Sequence, residues 1–126
     1  MRRPRPPPTP RHALDVGRGL LWAWRSASDA RTHLRVEGGV SAPVRPPPTL
    51  PVRSLRGVRW GLRLRHASCL ERSLVLQRWF LAHGQEREVV VGVAVDGTTT
   101  LAHAWLAGEE HLNDREYTEM TRVPAP

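Results

Sequence analysis

The segment Ser68-Cys-Leu-Glu-Arg-Ser-Leu-Val-Leu-Gln-Arg-Trp-Phe-Leu-Ala-His-Gly84 is the one from which the rest of the chain is read. Ser68 is a natural N-cap, and Glu71 stands three residues on. Together they spell a capping box, in which the serine oxygen accepts from a first-turn N–H and the glutamate reaches back to the cap. A helix is predicted over Cys69–His83, closed by Gly84 in a left-handed stop. Leu70, Leu74 and Leu81 fall on one line and Leu76 and Phe80 on the next. A helix apolar around most of its girth is buried, here against a sheet. Its first residue, Cys69, is the only cysteine in the chain. Free N–H groups and the positive end of the helix dipole converge at that position and favour a thiolate.

Downstream, Glu88–Val95 is continuously apolar after its first residue and reads as a strand buried on both faces. Asp96-Gly97 is a two-residue hairpin signal. Thr98–Ala107 is the next strand. Gly108-Glu109 is read as a second two-residue turn, and Glu110–Asp114 as a third strand, giving an antiparallel meander. In that register Ala107 pairs with Glu110, so His103 lies opposite Asp114, where a carboxylate can orient an imidazole. Val90 falls beside His103 on the other side. Asn113 points to the opposite face; a turn longer by one residue exchanges the roles of Asn113 and Asp114. The tail from Tyr117 carries no pattern.

Upstream, residues 1–8 alternate Arg with Pro and are expected to be disordered. Thr9-Pro10 reads as N-cap and first helical residue of a helix to about Ser28. Leu14, Leu21 and Trp24 form its predicted stripe, with Leu20, Ala23 and Ala27 beside it. Residues 36–51, with Gly38-Gly39, Pro43, Pro46-Pro47-Pro48 and Pro51, read as an extended linker. Pro51–Arg65 reads as a basic helix with Leu55, Val58 and Leu62 on its apolar side, weakened by Gly57 and Gly61. The expected organisation is a basic tail (1–8), an N-terminal helix (9–35), a linker (36–51), a cysteine-bearing core (52–116) and a tail (117–126). The fold class is α+β, with the helices packed on a small antiparallel sheet.

The net charge is +7 and the sequence pI about 11.4. All 19 basic residues are arginine. Residues 1–66 hold 14 Arg against 3 acids, residues 67–126 hold 5 Arg against 9. The half with the cysteine is mildly acidic, which argues against phosphate or nucleic acid as the ligand there. A single cysteine excludes an internal disulfide framework. No apolar run approaches the roughly 18 residues of a membrane span, and the N-terminal arginines precede only a short apolar patch, Leu20–Trp24. A cytoplasmic location is expected. No short-spaced Cys or His pair supports a metal site, no phosphate-binding loop is present, and no cofactor is expected; ATP dependence is not legible from these residues.

A thiol at a helix N-terminus, followed by a histidine and an Asp or Asn on later strands, is the arrangement of papain- and transglutaminase-like enzymes. The order Cys69-Leu-Glu-Arg-Ser-Leu, Val91-Gly-Val, Ala102-His-Ala-Trp-Leu106 and Asn113-Asp114 resembles the lasso-peptide leader peptidases, the transglutaminase-like B proteins of microcin-type processing. The resemblance covers about residues 60–115. It implies a cysteine protease that cuts the leader from a ribosomal precursor peptide, with Cys69 as nucleophile, His103 as general base and acid, and Asp114 orienting it. It also implies a separate leader-recognition protein and a separate ATP-dependent macrolactam cyclase. Backbone N–H groups at the start of the cysteine helix are the expected oxyanion donors, with Trp60 and Trp105 as candidate indole donors. Two other readings stand beside it: a non-catalytic arginine-rich module for nucleic acid or an acidic peptide, and an acyl transferase using the same triad.

Overall fold

A computed structural model describes Pro4 and residues 9–126. The expected disordered tail over residues 1–8 lies, Pro4 aside, outside the described residues. The chain forms three helices and one three-stranded antiparallel sheet: α1 (Pro10–Glu37), α2 (Leu55–Leu64), α3 (Cys69–Ala82), β1 (Val89–Asp96), β2 (Thr99–Leu106) and β3 (Thr118–Val123), with α3 packed on the sheet and α1 packed on α2 and α3. The α+β class is as the sequence indicates. Among the described residues no helix is long and apolar enough to cross a membrane.

Helix α1 starts as read, with Thr9 Oγ1 accepting from His12 N and proline at the first helical position. It runs well past Ser28, because no breaker occurs before Gly38, where φ is +71°. Its buried stripe differs from the expected one. Ala23, Ala27 and Ala30 are fully buried, whereas Leu14, Leu21 and Trp24 are exposed. The reason lies on the facing helix. A Cβ on Gly57 would sit 2.0 Å from Val16 O, and one on Gly61 would sit 2.4 Å from Leu20 O. The two glycines that weaken α2 as an isolated helix let its backbone touch that of α1. The small residues of α1 therefore face inward together with Trp22, while Leu14, Leu21 and Trp24 face out.

The segment between α1 and the 3-10 turn that precedes α2 carries no helix or strand, and it is tied to the core. Trp22 Nε1 donates to Arg45 O at 3.1 Å, and Leu50 is buried. The His83 ring at the end of α3 spans Trp79 O and Leu50 O at 2.8 and 2.9 Å. Helix α3 sits centrally, with Leu74, Val75, Leu76 and Trp79 buried between α1 and the sheet.

The sheet order is β2-β1-β3, so the expected meander is corrected. In the first hairpin Asp96 pairs with Thr99, and Gly97, at φ +62°, takes the first central position of a two-residue turn. The turn is Gly97-Thr98 rather than Asp96-Gly97. Partners therefore move by two positions: His103 faces Gly92, and Val90 faces Trp105. The second expected hairpin does not form. Gly108, at φ +96°, lies at the second central position of a turn closed by Glu109 N to Leu106 O. A positive φ at that position is type II geometry, whose twist does not return a strand alongside its predecessor. Glu110–Leu112 is instead a short 3-10 turn. The chain crosses over and adds β3 to the far edge of β1, with a bulge between Val91 and Gly92. The segment read as a featureless tail thus carries a strand.

Central strand β1 is buried on both faces only where it is covered: Val89 and Val90 are buried and Val95 is exposed. Gly57→Ala places a methyl against the Val16 carbonyl and is expected to cost about 1–3 kcal/mol. At Gly17, also in α1, an added Cβ would meet nothing within 4 Å. Gly17→Ala is expected to gain about 0.5–1 kcal/mol from helix propensity. Urea denaturation of the two variants checks both signs.

Candidate active site

The capping box at the start of α3 is present in full. Ser68 Oγ accepts from Glu71 N at 3.1 Å, and Glu71 Oε1 accepts from Ser68 N at 3.2 Å. Ser68 is extended (φ −66°, ψ 165°), as an N-cap must be. Cys69 therefore stands at the first helical position, exposed, with first-turn N–H groups around it.

Glu71 is buried, and a buried carboxylate needs a partner. Arg31 of α1 supplies one: Nε lies 3.1 and 3.2 Å from the two carboxylate oxygens, and Nη2 lies 2.9 Å from Oε1. The same Nη2 donates to His66 O at 2.9 Å. One guanidinium thus joins α1, the end of α2 and the cap of α3. Burial opposes ionisation of Glu71, but the hydrogen bonds from Arg31 and Ser68 outweigh it and hold its pKa below the usual glutamate range.

His103 lies on β2, an edge strand of the sheet. Its Nε2 is 3.2 Å from Asn113 Oδ1. With that oxygen as acceptor, Nε2 carries the proton and Nδ1 keeps the free lone pair. The expected His103–Asp114 pairing is corrected: the 3-10 turn in place of a third strand brings Asn113, not Asp114, to the ring. Asn113 reaches the ring from this 3-10 turn and not from a hairpin turn longer by one residue. Asp114 is exposed and holds Tyr117 instead, accepting from its hydroxyl at 2.9 Å and from Arg115 Nε at 3.2 Å. Those two bonds depress the Asp114 pKa, and the Asp114 carboxylate raises that of Tyr117.

Tyr117 packs against His103 with ring centroids 5.0 Å apart, and Trp105 stacks on it at 5.8 Å and 22°. Trp105 in turn lies over Gly92, where a Cβ would meet its ring at 2.8 Å. Its Nε1 donates to Glu110 Oε1 at 3.3 Å. That indole is committed to Glu110, and Trp60 is exposed on α2 and lines no part of the cleft, so neither candidate indole donor is drawn toward Cys69. Sequence reasoning does not find Tyr117 or Arg31. Arg31 has a signal, since the small-residue stripe Ala23, Ala27, Ala30 runs on past Ser28 and carries it toward α3. Tyr117 has none, because its place depends on the crossover to β3.

Cys69, Arg72, Ser73 and Leu76 of α3, residues 103–106 of β2, and Glu109, Leu112 and Asn113 line one cleft of about 130 Å³. Cys69, His103 and Asn113 are therefore brought to a common space, and Asp114 is not among its walls. A helix-borne thiol and a sheet-edge imidazole that line one cleft are features of a transglutaminase-like α+β domain. The chain belongs to the Transglutaminase-like superfamily, whose sequence profile matches residues 13–123. That superfamily includes cysteine proteases and acyl transferases. No curated protein and no solved structure matches the chain.

A carboxylate whose folded pKa is depressed stabilises the protein above its unfolded pKa, about 4.3 for Glu. That contribution is lost as pH falls through the lower folded value. Glu71→Gln is accordingly expected to be less stable than the unaltered protein at pH 7, with the gap closing as the pH drops below about 4. Thermal melts across that range measure the gap.

Proposed function

We propose that this protein is a cysteine peptidase that removes the leader from a ribosomally made lasso-peptide precursor. The observation that supports the reading is the cleft that exposed Cys69 and His103 both line, with Nε2 of the ring bonded to Asn113. The motif resemblance over residues 60–115 supplies the substrate class. A separate leader-recognition protein presents the precursor, and a separate ATP-dependent cyclase closes the freed amine onto an acidic side chain.

The chemistry follows from the free lone pair on His103. Nδ1 takes the thiol proton, and the Cys69 thiolate attacks the scissile carbonyl. Backbone N–H groups of the first turn of α3, including that of Cys69, hold the oxyanion. The imidazolium then gives its proton to the leaving amine, and the C–N bond breaks to leave an acyl-enzyme. Nδ1 next takes a proton from water, which attacks the thioester. The leader leaves as a carboxylic acid, and Cys69 regains its proton. Asn113 keeps the ring in this tautomer, while Asp114 acts at one remove through Tyr117. An amine in place of water at the second step turns the same sequence into acyl transfer.

Incubation of the protein with precursor and leader-recognition partner, followed by mass spectrometry, is the test. Two fragments are expected from the unaltered protein and none from Cys69→Ala; cleavage by Cys69→Ala, or a single new isopeptide product, overturns the reading. Asn113→Ala is expected to lower kcat about a hundredfold. Asp114→Asn keeps an acceptor for the Tyr117 hydroxyl and is expected to cost far less.

A further inference from the structure

The α2–α3 junction carries a second hollow, of about 370 Å³, lined by Arg59, Leu62, Arg63, His66, Ala67 and Arg72. Arg72 also lines the cysteine cleft, so the two spaces share a wall. Between Leu55 and Ala82 the only acid is Glu71, and its carboxylate is already taken by Arg31 and Ser68. Arg65 is drawn off toward α1, with Nε 2.7 Å from Ser28 Oγ and its guanidinium over the Trp24 ring. Among the described residues, Arg59, Arg63 and Arg72 have no ion-pair partner. The walls of the hollow therefore carry uncompensated positive charge and no negative charge.

His66 sharpens the point. Helix α2 ends in a Schellman motif, with Ala67 N bonded to Leu62 O and His66 N to Arg63 O. His66 occupies the left-handed position of that motif at φ +53°, the only non-glycine with positive φ among the described residues. Glycine is favoured there. The chain instead keeps a side chain that lines the hollow, at a conformational cost.

We propose that this basic trough binds acidic side chains of the peptide substrate on one side of the scissile bond. The assignment rests on the peptidase reading for its orientation toward Cys69, but the binding itself does not depend on cleavage. A carboxylate in the trough gains charge-assisted hydrogen bonds from guanidinium groups that are otherwise only solvated. Glu109, which lines the cysteine cleft, already takes Arg87 as its ion-pair partner, so that guanidinium offers no such pull. An extended peptide is thus held in one direction across the nucleophile. An acidic peptide fits better than nucleic acid because the trough is short and the half of the chain that follows it is mildly acidic, which repels a continuing phosphate backbone.

The test uses full-length Cys69→Ala protein, which separates binding from cleavage. A short fluorescent peptide rich in glutamate and its glutamine counterpart are titrated by anisotropy at low and physiological salt. The glutamate peptide is expected to bind about tenfold more tightly, with the advantage shrinking as salt rises. Adding Arg63→Ser and Arg72→Ser together should remove the advantage. Adding Arg35→Ser and Arg56→Ser, the same charge change outside the trough, should not. Equal binding of the two peptides, an equal loss in both double variants, or displacement of the glutamate peptide by a single-stranded oligonucleotide at lower concentration overturns the proposal. If instead the peptidase reading fails, the precursor stays uncut while the glutamate preference persists.

Discussion

The bond network centred on Arg31 sets the position of the helix end that carries Cys69. A buried glutamate at the third position of α3 is tolerable only because a guanidinium meets both its oxygens. The same guanidinium holds the carbonyl of His66, so the turn between α2 and α3 cannot shift independently of α1. Cys69 follows Ser68 directly, and Ser68 is fixed to Glu71 in both directions. The thiol is therefore located by three helices at once. A helix N-terminus that frayed would scatter the first-turn N–H groups that an oxyanion needs.

The close contact of α1 and α2 is what brings Arg31 within reach. With Gly57 and Gly61 at the interface, backbone meets backbone, and α2 lies near enough for its terminal carbonyls to touch an α1 side chain. Bulkier residues would hold the helices apart at ordinary interaxial distance. What looks in isolation like a poor helix, two glycines in ten residues, is the condition for joining the elements. Local propensity and tertiary packing disagree here, and packing prevails.

Elements whose signal is local are legible in the sequence. The capping box, the proline start of α1 and the apolar run of β1 each depend on neighbours within a few residues, and the α+β class follows from them. The inward stripe of α1 is not legible in α1 alone, because large apolar residues ordinarily face inward and the glycines opposite select small ones. The sheet order is hidden because a glycine in a turn signals positive φ without saying which central position it takes. At Gly97 it takes the first and the strand returns; at Gly108 it takes the second and the strand departs. Strand β3 leaves no trace because an edge strand with both faces exposed has no alternation to read. Its Glu119 and Arg122 pair with each other on the surface, as charged edge residues do.

The choice of Asn113 over Asp114 at the imidazole has chemical content. An amide oxygen accepts the Nε2 proton and fixes the ring without adding a negative charge beside it. Here the carboxylate is kept one residue further on, in solvent, where it tethers the hydroxyl of Tyr117. Tyr117 and Trp105 confine the ring by contact, and Asn113 sets its rotation about that confinement. Orientation is thus supplied by packing and one neutral hydrogen bond, while the charged groups on the cleft wall are Arg72 and Glu109, the latter paired with Arg87.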